Sequence, residues 1–262
     1  MTMPFATAII IAAAPFVGCF GASAVQRRLE GKSFFFLRSR CDACGRQLEF
    51  RELVPIFSWL LRAGRCRHCS AAIMRLYPAV ELGFLLVAFW SAYACPDHMF
   101  LPALALGWTL VVLIAFDVLA FILPNALTLP LGAGGLLLGM AEGFDQLRQS
   151  ALGFIAGGAS LALVRFLYRY FRGREGLGFG DVKLFAAAGA WVKLGGLPSV
   201  LLIGTLLASL HALFLLRRAP ADAARQMVPL GAGLCVGLWL TWMYGPVFDW
   251  SLAALLGPGA GS

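Results

Sequence analysis

Two aspartates and four paired cysteines carry most of the chemistry this sequence offers. Asp117 stands in Ala115-Phe116-Asp117-Val118, and Asp181 in Gly178-Phe179-Gly180-Asp181-Val182-Lys183-Leu184. Both are set in apolar sequence, where a carboxylate is costly and marks a site by default. Two carboxylates a few ångströms apart in a low dielectric share one proton. The ionised member can then take a proton from water while the protonated one polarises a carbonyl, which is the chemistry of amide hydrolysis by aspartic proteases. Gly178 and Gly180 allow the backbone before Asp181 to approach its neighbours closely. The plain alternative for Asp181 is a helix N-cap; Asp117, in mid-run, fits that role less well. Glu81 is a third carboxylate, read either as an ion-pair partner of Arg75 or as a substrate contact. Lys183 either neutralises a neighbour or meets a lipid headgroup. His98 and His211 lie apart from these groups.

Cys41-Asp42-Ala43-Cys44 and Cys66-Arg67-His68-Cys69 are two C-x2-C pairs separated by about 20 residues, the spacing of a tetrahedral zinc site. Each pair offers two thiolates from one tight turn, and nearby Arg40, Arg46, Arg65 and Arg67 help hold them deprotonated. Zinc held by Cys41, Cys44, Cys66 and Cys69 would be structural, because four thiolates leave no position for water. A redox dithiol is the alternative. His68 is expected to be solvated rather than ligating, and Cys19, Cys95 and Cys235 to be small buried hydrophobes.

These groups need a scaffold, and composition says which. The chain is 60% hydrophobic and only 13% charged, whereas a soluble domain carries about 25% charged residues. Several uncharged stretches reach the roughly 20 residues that cross a bilayer. The expectation is an all-α polytopic membrane protein of about eight spans. They divide as a first span over residues 1–25, a small zinc-binding loop domain with four cysteine ligands over 26–77, and a seven-helix domain over 78–262. The opening run has no basic residue before it, which predicts a retained span rather than a cleaved signal. Residues 27–75 hold 11 of the 21 basic residues against four acidic ones, which places this loop in the cytoplasm and suggests apposition to anionic lipid rather than to nucleic acid. Eight spans put both aspartates at inner membrane ends. A break is predicted at Pro124-Asn125, another near Gly195-Gly196, and the last span begins near Met227.

Four blocks in order resemble the bacterial type IV prepilin peptidases, a family of GxGD membrane aspartic proteases. The cysteine pairs enclose Val54-Pro55-Ile56-Phe57-Ser58-Trp59-Leu60, Asp117 precedes Leu123-Pro124-Asn125-Ala126-Leu127, and Gly178-Phe179-Gly180-Asp181 forms the fourth block. The similarity runs from about Phe16 to Leu197. It implies Asp117 and Asp181 as the catalytic pair and prepilins or pseudopilins of pili and type II secretion as substrates. It also implies cleavage after a glycine at the cytoplasmic face of the bacterial inner membrane, then methylation of the new amino terminus by S-adenosylmethionine. Zinc is expected from the cysteine spacing, and S-adenosylmethionine from the resemblance only. A leader peptidase without methyl transfer and a proton-coupled transporter are the alternatives. The transporter predicts carboxylates near the bilayer midplane.

Overall fold

A computed structural model describes residues 5–31, 41, 43–47, 49, 52–173, 176–218 and 228–247. The stretch 32–40 with Arg38 and Arg40, Asp42, Met227 and the glycine-rich tail lie outside the described residues. Those described are helical almost throughout, with one isolated antiparallel bridge between Arg65 and Ala72. Five helices are long and apolar enough to cross a membrane: Phe5–Leu29, Leu76–Ala94, Asp97–Ala120, Phe144–Arg172 and Phe179–Arg217. Large apolar side chains face outward along them, Leu101 being 64% and Ile155 64% exposed. Such a surface suits lipid rather than water. The chain is therefore a polytopic helical membrane protein.

The chain divides into two compact units, Met1–Ala115 and Phe116–Ser262. In the first, α1 (Phe5–Leu29) packs on α3 (Leu76–Ala94). Gly18 marks the crossing, since a Cβ there would come 2.9 Å from Glu81 Cα. The ring of Phe84 stacks on Trp108 of α4 (Asp97–Ala120) at 5.2 Å, and Trp108 Nε1 donates to the Phe84 carbonyl. Between α1 and α3 lies a polar hairpin containing one short helix, α2 (Phe57–Leu61). Its return turn needs Gly64, which has φ +69° and lies against the Trp59 ring where a Cβ would clash at 2.7 Å.

The second unit begins with the last turn of α4. It continues through α5 (Asn125–Glu142), α6 (Phe144–Arg172), α7 (Phe179–Arg218) and α8 (Leu230–Tyr244). Without a hydrophobic drive between helices in lipid, close backbone contact supplies the attraction. A Cβ on Gly153 of α6 would collide with the Gly189 carbonyl of α7, and one on Gly189 with the Gly153 carbonyl. The second half of α7 meets α8 in the same way at Gly204 and Gly233.

The break expected at Gly195-Gly196 falls instead at Lys193, whose φ of 60° and ψ of −173° interrupt α7 while both glycines stay helical. That conformation costs a non-glycine residue of order 1–3 kcal/mol and persists where the surroundings impose it. The imposing contacts are visible: Lys193 Nζ is tied to Glu142 and to Gln146, at the facing ends of α5 and α6.

Candidate active site and candidate metal centre

Asp117 sits in the last turn of α4, and Asp181 in the first turn of α7. Asp181 is thus two residues inside a helix that starts at Phe179, not its cap. A negative charge in a first turn suits the helix dipole. Its own N–H donates to the Gly178 carbonyl at 3.2 Å, folding the glycine-rich segment into the helix start.

The side chain of Asp117 is 5% exposed and is fixed from far along the chain. Its Oδ2 accepts the Ala232 N–H at 2.6 Å, 115 residues away in the first turn of α8. Gly231 makes this approach possible, because a Cβ there would lie 2.9 Å from Asp117 Oδ2 and 3.0 Å from Leu123 Cδ1. Leu123 also closes on Gly180, where a Cβ would meet Leu123 Cβ at 3.0 Å. One buried leucine therefore joins the segments that carry both aspartates. Both lie at helix ends rather than at helix centres.

The neighbouring residues orient the Asp181 segment. A Cβ on Gly178 would come 3.1 Å from Asp181 Oδ2, so this glycine keeps one side of the carboxylate open. Lys183 Nζ donates to Asn125 Oδ1 at 2.5 Å and lies 4.6 Å from the centre of the Phe179 ring, clamping α7 to the start of α5. Arg165 Nη1 donates to the Leu177 carbonyl at 2.6 Å, with its guanidinium 5.7 Å from the same ring. Arg165, Gly231 and Ala232 were not foreseen as site residues. Arg165 carried a signal, a charge inside the apolar run Leu161-Ala162-Leu163-Val164-Arg165-Phe166. For Ala232 the contact is made by backbone, which no residue type announces.

Glu81 belongs to the other unit, and its carboxylate has a partner other than Arg75. Its buried Oε2 accepts the Ile56 N–H at 2.7 Å. Ile56 is held at φ 61°, a region unfavourable for a β-branched residue. Glu81 thus fastens the entry of α2 to α3 in place of an ion pair with Arg75.

The four hairpin cysteines come together as the spacing implied. One Sγ from each of Cys41, Cys44, Cys66 and Cys69 lies within 4.8 Å of the others, and the Cys41 and Cys69 sulfurs are 3.7 Å apart. A tetrahedron with zinc–sulfur bonds of about 2.3 Å has edges near 3.8 Å, so the set fits that ion. Each knuckle is a tight turn, closed by Gly45 N–H to the Cys41 carbonyl and by Ser70 N–H to the Cys66 carbonyl. Amides of His68 and Cys69 donate to the Cys66 sulfur and lower its pKa to about 7. At Cys69 the Ala71 amide acts downward, but desolvation and the crowding thiols of Cys66, Cys41 and Cys44 push the pKa up to about 11. A divalent cation relieves this crowding by accepting all four sulfurs as thiolates. His68 is engaged elsewhere, its Nδ1 accepting from Arg46 Nη1 at 3.2 Å.

A multi-pass helical protein with two carboxylates at one end of its glycine-packed unit and a four-thiol hairpin is a narrow class. Residues 12–95 match the Bacterial Peptidase A24 N-terminal domain and residues 104–213 the Type IV leader peptidase family. A prepilin leader peptidase/N-methyltransferase of Aeromonas salmonicida (strain A449) is 36% identical over 221 residues, covering 84% of this chain and 76% of the relative. Proteins of the same description from Dichelobacter nodosus (36% over 208 residues, 79% and 71%) and Dickeya chrysanthemi (37% over 203 residues, 76% and 70%) are similar to it as well. No solved structure matches the chain. The chain belongs to the type IV leader peptidase family.

Proposed function

We propose that this chain is a prepilin leader peptidase/N-methyltransferase in which Asp117 and Asp181 form the hydrolytic pair. What supports this reading is that Leu123 packs both on Gly180, next to Asp181, and on Gly231, beside Asp117, whose Oδ2 accepts the Ala232 N–H. That amide occupies one oxygen of Asp117 and leaves the other for water. In the reaction water adds its oxygen to the scissile carbonyl carbon and gives a proton to the ionised aspartate. The protonated partner donates to the carbonyl oxygen, the C–N bond breaks, and the leaving nitrogen takes a proton. Gly178 and Gly180 let an extended peptide approach Asp181 without side chains in its way. Lys183 and Arg165 hold that segment against α5 and α6.

The substrates are prepilins or pseudopilins, cut after a glycine at the cytoplasmic face of the bacterial inner membrane. Methylation of the new amino terminus and its donor, S-adenosylmethionine, are carried over from the family. Cys41, Cys44, Cys66 and Cys69 hold a structural zinc that ties the two knuckles of the 26–77 domain. Eight transits account for the scaffold: α1, α3, α4, α5, α6, the two halves of α7, and α8. With both aspartates inside, the basic clusters fall on the cytoplasmic side.

The test is the full chain in proteoliposomes with a prepilin, its mature amino terminus read by mass spectrometry with and without S-adenosylmethionine. A new terminus after glycine, methylated only when the donor is present, supports the assignment. An intact leader overturns it, and a cleaved but unmethylated product with the donor present removes the transferase half.

A further inference from the structure

The second unit has another polar feature, at the end away from its carboxylates. Helix α5 rises for 18 residues from the Asp117 end, about 27 Å at 1.5 Å per residue. This nearly spans a hydrocarbon core of about 30 Å. Where α5, α6, the break in α7 and the end of α8 meet lies a cavity of about 240 Å³. Its wall includes Glu142, Ser150, Trp191, Lys193, Thr241 and Trp242.

Three features of this cavity are unexplained by peptide cleavage. Lys193 keeps a backbone conformation that glycine would adopt freely, so the lysine side chain is retained against a local cost. Its ammonium donates to Gln146 Oε1 and meets Glu142 at 3.4 Å, a long contact with both of those charged side chains about a third exposed. Thr241, 3% exposed, has a hydroxyl with no hydrogen-bond partner. Around them stand indole rings, Trp191 edge-on to Trp242 at 5.7 Å.

The charge balance selects the ligand. A purely anionic group would have to displace Glu142 from Lys193, and a purely cationic one Lys193 from Glu142. A zwitterion can insert between them and exchange the long Lys193–Glu142 contact for two charge-assisted ones, while another ammonium hydrogen stays on Gln146. The geometry points to a binding site for an aminophosphate group, its phosphate on Lys193 and its primary ammonium on Glu142, as in a phosphatidylethanolamine headgroup. Thr241 and Ser150 are further hydroxyls in the same wall. The site is separate from the aspartates and binds whether or not they cleave peptide.

The test is a titration of the full chain in detergent, read by tryptophan emission from Trp191 and Trp242. The ligands are dihexanoyl phosphatidylethanolamine, the phosphatidylglycerol and phosphatidylcholine analogues, and free phosphoethanolamine. Saturable binding of the ethanolamine lipid, with the glycerol and choline lipids at least about tenfold weaker, is expected from loss of one charged hydrogen bond. Tighter binding of the lipid than of phosphoethanolamine marks the bilayer as the source; equal binding marks a soluble aminophosphate. Lys193→Gly removes the ammonium and suits the backbone, a relief that offsets the lost ties to Glu142 and Gln146, and its half-saturation rises at least about tenfold. Equal response to the glycerol lipid, no saturable response, or a Lys193→Gly titration that superimposes on the wild type overturns the proposal.

Discussion

The cysteine hairpin and the carboxylate end hold reactive groups by opposite means. In the hairpin the farthest-separated contact between thiols, Cys41 to Cys69, spans 28 residues. Short turns hold it together, with few apolar contacts: Phe57 and Leu61 of α2 are largely exposed. At the carboxylate end, Asp117 depends on a backbone amide 115 residues away. It depends too on helices brought together at glycines. One region, on the proposed zinc site, would be stabilised by its ligand set and can fail alone. The other is stabilised by the whole bundle and fails with it.

The largest effect should come from breaking the bundle. Gly189→Val places a branched side chain on the Gly153 carbonyl and should destabilise the helical unit by about 3 kcal/mol, an overpacking cost. Thermal unfolding in detergent measures it, and an unchanged midpoint would show that α6 and α7 do not meet there. Next, Cys66→Ser should take bound zinc from about one per chain to none and open the hairpin to protease. The helices should melt as before. Loss of both together would erase the contrast.

Gly231→Ala sharpens the comparison from the other side. Its methyl group would lie 2.9 Å from Asp117 Oδ2. Moving the carboxylate by a fraction of an ångström should lower cleavage about 100-fold with little change in melting. The smallest effect belongs to Glu52. The Glu49 amide, and then the Arg62 guanidinium at 2.9 Å, hold its carboxyl below the ordinary 4.5. A depressed folded-state pKa adds stability above the unfolded value and loses it as pH falls through the folded one. The Glu52 contribution to the hairpin's protease resistance should therefore be larger at pH 7 than at acid pH, by no more than about 1 kcal/mol, apart from any acid release of metal. Glu52→Gln should flatten that difference.

The same contrast explains what the sequence made legible. The thiol set was readable because zinc ligands come from two local turns. The helical class was readable because apolar length is a property of each segment. Asp117 and Asp181 stood out as charges in apolar runs. The Ala232 amide did not, since backbone donors look alike in every residue. The break at Lys193 was missed because glycine pairs are the usual signal of a turn, whereas here side-chain ties to Glu142 and Gln146 impose it on a lysine. Gly153-Phe154-Ile155-Ala156-Gly157 and Gly233-Leu234-Cys235-Val236-Gly237 have the small-residue spacing of helix-packing motifs, but that they meet Gly189 and Gly204 follows only from the fold.

The central claim is that two aspartates act as one hydrolytic unit. Its most direct measurement is the rate of prepilin cleavage by the reconstituted chain carrying Asp117→Asn, Asp181→Asn, or both. Each single variant should lose about 1,000-fold or more and the double variant no more than either, as for residues that work together. A single variant that keeps the wild-type rate, or losses that multiply in the double, would contradict it.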